Sequence, residues 1–308
     1  MGDILKGRNA VVTGSSVGIG KAIALALAAE GAKVVVNSSG TGPKGPGTDL
    51  KPLNDVVDEI KARGGVAIAS FGSVADFAYT EKLIKTCVDN FGSIDILVNC
   101  AGNLRDRMMV NMSEEEWDAV VDVHLKGTFS TTRHAAPYMR EKRFGRIINF
   151  TSAGWLGNVG QVNYSASKGG IVSMTYTSAL ELGSRGITAN CIAPGAKTRM
   201  TVNPVVEAGL KKKFEAGLLA KADYEKYVAM PGPEYVAPIV VFLCTEKASG
   251  INGQVFGAAG SSIWLYSKPQ EIKTLFKPQG IWTIEELMEQ VPGTVAKGLV
   301  NPSPPKND

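Results

Sequence analysis

Cysteine is scarce in this chain of 308 residues, with four in all: Cys87, Cys100, Cys191 and Cys244. None forms a C-x-x-C pair, and their scatter fits neither a disulfide framework nor a zinc site. No metal is therefore expected, and the thiols read as small apolar residues packed in a reducing compartment. An excess of one charge is missing too. The 33 basic and 29 acidic residues leave a net charge of +4, too balanced for a nucleic-acid partner but compatible with a phosphorylated small molecule. No apolar run reaches the roughly 18 residues of a membrane span. No basic segment followed by an apolar one precedes the first strand, as a secretory signal requires. Lys306-Asn307-Asp308 is no targeting or lipidation signal. The expected location is the cytoplasm.

What is present is a core. Hydrophobic residues make up 44% of the chain and charged ones 20%, the balance of a globular protein with one large domain or two small ones. Asn9-Ala10-Val11-Val12-Thr13 reads as a buried strand, Gly14 to Gly20 as a glycine-rich turn, and Lys21 to Gly31 as a helix. Lys33 to Asn37 is a second strand, followed by a loop rich in Gly and Pro. Apolar runs at 67–69, 94–99, 146–150 and 188–192 then alternate with helix-period segments near 53–63, 76–91, 113–141 and 165–184. A capping box, Ser113-Glu114-Glu115-Glu116, opens the third of these helices. Gly253 to Phe256 reads as one more strand. The fold class is α/β: a single Rossmann-type, doubly wound parallel sheet with helices on both faces. Residues 1–266 form this domain, with a substrate lid about 195–235, and 267–308 form a C-terminal extension holding one helix from Thr283.

The turn Thr13-Gly14-Ser15-Ser16-Val17-Gly18-Ile19-Gly20 lies between a strand and a helix. Glycines there let the backbone approach a pyrophosphate, and the helix N-terminus behind offers free N–H groups. Its spacing is G-x-x-x-G-x-G, and three motifs follow in order: Asn99-Cys100-Ala101-Gly102, Tyr164-Ser165-Ala166-Ser167-Lys168 and Pro194-Gly195. Over roughly residues 6–260 the chain resembles the short-chain dehydrogenase/reductases. The resemblance implies an NAD(P)-dependent enzyme. It implies cofactor contacts from Gly14, Ser16, Val17, Gly18, Ile19, Gly20, Ser38, Asn99, Ala101, Gly102, Tyr164, Lys168, Pro194, Gly195 and Thr198.

Tyr164 and Lys168 are four apart on a predicted helix and share a face. A nearby ammonium is expected to lower a phenol from its usual value of about 10, so that it exchanges a proton with a substrate oxygen. The family also uses a hydroxyl on that oxygen. The usual spacing back from the tyrosine lands on Thr151; counting from the strand Arg146-Ile147-Ile148 lands on Ser152, which is preferred because the strand fixes its direction. Many relatives carry an asparagine that holds a relay water where this chain has His124. An imidazole can relay a proton there, or be tied to a backbone carbonyl.

Leu104 to Met108, Glu116 to Asp118, Val123 to Gly127, Gly157 to Gln161, Arg199-Met200-Thr201 and Pro233 to Pro238 resemble the dehydrogenase branch of peroxisomal multifunctional enzymes. That resemblance implies a 3-hydroxyacyl-CoA/3-oxoacyl-CoA substrate pair, and leaves open a cyclic or branched acyl group. It also implies a homodimer or homotetramer built on the two long helices. A peroxisomal location would apply in a eukaryote, although no targeting signal is seen. The adenosine pocket departs from the branch: Ser38 and Gly72 stand where relatives have acids. An acid after the second strand bonds the ribose hydroxyls and repels a 2′-phosphate, so the cofactor is NADP or NAD, with the missing acids favouring NADP. Asn103, Trp155, Leu156 and Met200 are candidate substrate-pocket walls, and Lys211, Lys212, Lys213 and Lys221 are either CoA-phosphate contacts or a solvated helix face. Two rival readings remain: a dehydrogenase of a free steroid or cyclic alcohol, and a non-catalytic subunit of a hetero-oligomer that keeps the fold.

Overall fold

The computed structural model describes residues 2–40, 49–198, 204–217 and 219–304. The chain alternates as expected: β1 (Asn9–Val12), α1 (Gly18–Ala29), β2 (Lys33–Ser38), α2 (Lys51–Ala62), β3 (Val66–Phe71), α3 (Phe77–Phe91) and β4 (Ile96–Asn99). Then come α4 (Glu114–Val121), a π turn over Asp122–Lys126, α5 (Gly127–Lys142), β5 (Gly145–Phe150), α6 (Val162–Leu182) and β6 (Ile187–Pro194). The rest is α7 (Pro204–Glu215), α8 (Lys221–Val228), α9 (Ala237–Leu243), β7 (Val255–Ala259), β8 (Ser262–Leu265) and α10 (Ile284–Gly293).

The sheet order is β3-β2-β1-β4-β5-β6-β7-β8. Strands β1 to β7 pair in parallel, with Ala10 opposite Val34 on one side and Ile96 on the other. Chain direction across the sheet therefore reverses between β1 and β4, and a crevice at such a switch point binds ligands beyond the carboxyl ends of the strands. Strand residues alternate between two cores, as the two-residue period requires. Ala10, Val12, Val34, Val36, Ile96, Val98 and Ile148 pack with the apolar side chains of α1, α2 and α9. Val11, Val35, Leu97, Ile147 and Ala189 pack on the opposite face with Leu83, Ile84, Ala135 and Met139 of α3 and α5. Being buried on both faces, β1 and β4 are largely apolar runs rather than alternating ones.

Three details differ from the sequence reading. Helix α1 begins at Gly18, not Lys21, so Gly18 to Gly20 form its first turn. The long helix of 113–141 is interrupted by the π turn around His124. An eighth strand, β8, turns back antiparallel on β7, with Trp264 opposite Gly257. Contacts divide the chain into two units, Met1–Tyr266 and Ser267–Asp308. The second is described by itself: α10 opens with a capping box between Thr283 and Glu286, and Lys277 pairs with Glu286 at 2.5 Å. None of its described residues is buried.

Candidate active site

The glycine turn is held from both sides. Ser15 Oγ donates to Val12 O at 2.6 Å and accepts from Asn37 N at 3.0 Å, tying the turn to β2. Thr13 Oγ1 accepts from Cys100 N (3.0 Å) and Ala101 N (3.1 Å), which presses the Asn99–Gly102 segment against the turn. The approach leaves no room for a side chain: a β-carbon at Gly14, where φ is +63°, would lie 2.6 Å from Ala101 Cα. Gly20 is equally constrained, 2.4 Å from Gly14 O by the same construction. The N-cap of α1, Val17, provides no side-chain cap. The first N–H groups of α1 and its positive dipole end are thus left for an anion. This cradle fits the pyrophosphate of a dinucleotide.

Other candidate cofactor residues are gathered around it. Ser16 Oγ donates to Ser38 Oγ at 3.0 Å. Thr198 lies beside the turn, 3.8 Å from a β-carbon at Gly18, and Ile19 packs against the core under α1. Gly195 follows Pro194 at the end of β6 and donates its N–H to Ala258 O at 2.8 Å. The Asn99 side chain faces inward. Its Nδ2 donates to Asn149 Oδ1 at 2.9 Å and its Oδ1 accepts from Thr131 Oγ1 at 2.7 Å, so only its backbone is free to face a ligand. Asn149 continues the chain to Thr175 Oγ1 at 2.9 Å. This buried ladder links β4, β5 and α6, and the sequence reading did not include it.

The structure separates the two candidate hydroxyls. Thr151 is buried and its Oγ1 donates to Lys168 O at 2.9 Å. Ser152 is placed on the Tyr164 side: its Oγ accepts from Gly154 N at 3.2 Å, and its hydroxyl favours the Tyr164 phenolate against the larger, opposing effect of burial. Lys168 and Tyr164 share one face of α6, with Nζ 5.4 Å from the ring centroid. The ammonium is not free, since Nζ donates to Phe150 O at 2.6 Å.

The expected lowering of the Tyr164 phenol by Lys168 is not found. Burial dominates and raises it above its ordinary value, with Ser152 opposing. Burial also pulls Lys168 down to about 8. The physical reason is that removing charge from water disfavours both the phenolate and the ammonium, and the sequence reading weighed only their attraction. Tyr164 consequently holds its proton at neutral pH.

His124 sits in the π turn, buried, with its ring edge-on to Tyr164 at 5.2 Å. Burial and then the Lys168 charge hold its pKa well below the usual imidazole value, so it is neutral. Nε2 lies 2.8 Å from Asn103 O and 3.1 Å from Asn103 N. One backbone residue thus offers a partner to either tautomer: an acceptor for Nε2–H and a donor for bare Nε2. Nδ1 is buried and has no hydrogen-bond partner among the described residues. Gly102 makes the fit possible, since a β-carbon there would lie 2.5 Å from His124 Cε1.

Two segments that carry the branch resemblance are stapled together beside this group. Arg107 N donates to Gly160 O at 2.8 Å, Gln161 Nε2 to the Asp106 carboxylate at 3.0 Å, and Asn163 Nδ2 to Arg105 O at 3.0 Å. Of the pocket-wall candidates, Asn103 donates to Ala119 O at 2.7 Å and leaves a buried, unpartnered Oδ1. Trp155 packs with Ile171 and Val172, with its ring 6.0 Å from Tyr266. Leu156 is exposed, and Met200, with Arg199 and Thr201, lies outside the described residues. Lys211 and Lys221 pair within their own helices with Glu215 and Glu225, at 3.9 and 3.7 Å, as a solvated face does. No cluster able to hold a metal occurs among the described residues, and no described helix is long and apolar enough to cross a membrane.

The glycine cradle thus lies at the switch point of the sheet, with the half-buried Ser152 and Tyr164 and the buried Lys168 ammonium gathered beyond it. The short chain dehydrogenase family model matches residues 8–207, and the chain belongs to the short-chain dehydrogenase/reductase family, whose members are NAD(P)-dependent oxidoreductases. It is 40% identical to Hydroxyacyl-CoA dehydrogenase ChsB1 of Mycobacterium tuberculosis, over 92% of this chain and 87% of that one. It is 44% identical to a 3-oxoacyl-[acyl-carrier-protein] reductase of Synechocystis, over 82% of this chain and 96% of that one. It is 42% identical to Peroxisomal multifunctional enzyme type 2 of Drosophila melanogaster, over 82% of this chain but spanning only 39% of that much longer protein. A solved short chain dehydrogenase from Mycobacterium avium superposes with a TM-score of 0.80 at 42% identity, covering 96% of each chain.

Proposed function

We propose that the enzyme interconverts a 3-hydroxyacyl-CoA and a 3-oxoacyl-CoA, with Tyr164 as general acid/base. The observation that carries this reading is the convergence of Ser152, Tyr164, Lys168 and His124 in one group, the last two buried and the first two half-buried, beside the glycine turn. Bound NAD(P) supplies or accepts the hydride. The chain's own residues do the rest. Ser152 holds the substrate oxygen by hydrogen bonding. Tyr164, protonated at neutral pH, gives its proton to that oxygen as the carbonyl becomes an alcohol, so reduction is the direction the resting site is set for. Lys168, while charged, stabilises the phenolate left behind. His124, held through Nε2 by the Asn103 backbone, leaves Nδ1 without a protein partner among the described residues, where a water can dock and hand the phenolate a proton drawn from solvent. Thr198, beside the turn, holds the carboxamide end of the cofactor, and Ser38 meets the adenosine ribose.

The CoA thioester is supported by the likeness to the mycobacterial hydroxyacyl-CoA dehydrogenase over nearly the full length of both chains. NADP is favoured over NAD because no carboxylate replaces Ser38 or Gly72. The four free cysteines suit a reducing compartment such as the cytoplasm. Phe129 and Leu180, exposed on α5 and α6, suit a homodimer or homotetramer packed on those helices. The test is reduction of a 3-oxoacyl-CoA series and of the matching free acids and cyclic ketones by wild type and Tyr164→Phe. The reading expects thioester turnover that falls by about a thousandfold in the variant, with cofactor binding retained. Turnover of the free ketones alone would replace the substrate class. Equal turnover in the variant would remove Tyr164 from the chemistry, and no turnover with any substrate by a cofactor-free protein would favour the partner-subunit reading.

A further inference from the structure

Helix α6 carries both Tyr164 and Lys168. It begins at Val162, and its N-cap residue, Gln161, gives no side-chain cap. Its first backbone N–H groups, that of Tyr164 among them, therefore have no partner within the helix. The partner for Tyr164 comes from the residue before it: Asn163 Oδ1 accepts from Tyr164 N at 2.7 Å. The other end of the same amide reaches out of the helix. Nδ2 donates to Arg105 O and to Glu116 O, each at 3.0 Å. The partners settle how the amide is turned, because a flipped group would set its oxygen against two carbonyls and its nitrogen against an N–H. The two carbonyls belong to the two supports of His124. Arg105 stands two residues after Asn103, whose backbone meets His124 Nε2. Glu116 lies in the first turn of α4, which runs on into the π turn that holds His124. Neighbouring ties between these segments, such as Gln161 to Asp106 and Arg107 to Glu116, are exposed, and water competes for their groups. Asn163 is wholly buried, so breaking its bonds leaves donors and acceptors that water does not reach.

We infer that Asn163 is a positioning residue for the reaction: by joining the Tyr164 backbone to both supports of His124, its side chain fixes the phenol against the imidazole, with ring centroids 5.2 Å apart and planes at 88°. Asn163 acts through Tyr164 and carries no proton itself. The place asks for two donors and one acceptor on a stem of one methylene. An ionised aspartate has no donor, serine and threonine have one, and glutamine is one methylene too long. The inference rests on the reading of Tyr164 as general acid/base. It adds a residue, outside the hydroxyl–phenol–ammonium–imidazole group, on which the geometry of that group depends.

The experiment compares wild type, Asn163→Ala, Asn163→Ser and Asn9→Ala. Asn9 is the control for lost stability. It too is a buried asparagine whose Nδ2 bridges two acceptors, Phe91 O at 3.1 Å and Ser93 Oγ at 2.8 Å, but it stands at the amino end of β1. Four quantities are measured: the single-turnover rate of acetoacetyl-CoA reduction by NADPH and by NADH, the KM for the thioester, the Kd of each reduced cofactor, and the Tm. All three variants are expected to melt below wild type, and Asn9→Ala to keep the wild-type rate. Asn163→Ala is expected to lose about tenfold to a hundredfold in single-turnover rate, the effect of a misplaced reacting group. Its KM and cofactor Kd should stay within about twofold of wild type, since neither substrate nor cofactor touches Asn163. Asn163→Ser keeps one hydroxyl and should fall between; it carries the test if the alanine variant does not fold. A rate in the Asn163 variants equal to that of Asn9→Ala overturns the inference and leaves the role of Tyr164 standing, because the amide then only holds the fold together. A loss that appears in KM or Kd with the rate unchanged overturns it as well. Wild type that reduces no carbonyl compound with either cofactor overturns the reading of Tyr164 itself, and this inference with it.

Discussion

Replacing Lys168 by methionine is expected to stabilise the protein while removing its activity. The ammonium is buried and, among the described residues, makes a single hydrogen bond, to Phe150 O at 2.6 Å. Burial pulls its pKa from 10.5 to about 8, which corresponds to about 3 kcal/mol of destabilisation of the charged form in the fold. Because the folded value is depressed, the folded protein binds the proton less tightly than the unfolded chain. The penalty is therefore complete below about pH 8 and is relieved as pH rises from about 8 toward 10.5. Methionine has a similar length and no charge, and forfeits about 1 kcal/mol of hydrogen bonding. Urea unfolding should show Lys168→Met more stable by about 2 kcal/mol at pH 7, with the difference vanishing near pH 9.5 as wild type recovers. Titrating groups that do not feel the Lys168 charge cancel in the comparison. A difference that does not change with pH refutes the electrostatic argument, and normal turnover in the variant refutes the role of the ammonium.

Gly14→Ala forces a β-carbon to 2.6 Å from Ala101 Cα at a positive φ; thermal unfolding should register about 1–2 kcal/mol of destabilisation, and fluorescence titration a loss of cofactor affinity. At the opposite end of β4, Asp95 is wholly buried and accepts from Asn9 N at 2.9 Å while pairing with Lys142 and Arg8. Asp95→Ala strands those donors and should cost about 3 kcal/mol in urea unfolding without changing the KM for substrate. Ketone reduction should be steady near neutral pH and fall as pH rises through about 8, when the Lys168 ammonium is lost. A profile with no such limb, measured as kcat/KM, would contradict the assigned charge state.

Strands β1 and β4 and the glycine turn were legible because a doubly buried strand is a plain apolar run and the turn has its own spacing. The start of α1 was not, since Gly18 and Gly20 are poor helix formers, kept for a positive φ at Gly18 and a close approach at Gly20. Strand β8 carries no alternation, all four of its residues being exposed, although the two-residue Gly260-Ser261 connection is a hairpin signal. That Thr151 turns inward, to Lys168 O, while Ser152 does not was readable from strand register, because neighbouring side chains point to opposite faces. The ionisation of Tyr164 was not, because sequence spacing counts charges and desolvation depends on what covers them. The contact of Tyr79 with Gly72 joins a helix to a strand end and leaves no trace in periodicity.

The π turn at Asp122–Lys126 sets the rotational phase of everything after it. An α-helix advances about 100° per residue, so one turn widened to accommodate an extra residue offsets α5 from α4 by roughly that angle. Deleting any single residue between Asp122 and Lys126 would let the two helices merge into one unbroken α-helix. It would then swing either His124 off the Tyr164 ring or Thr131 off the Asn99 amide, because a straight rod cannot serve both. Length in this stretch is thus as strictly specified as composition, and a homologue lacking one residue here is expected to set different groups beside Tyr164 or Asn99.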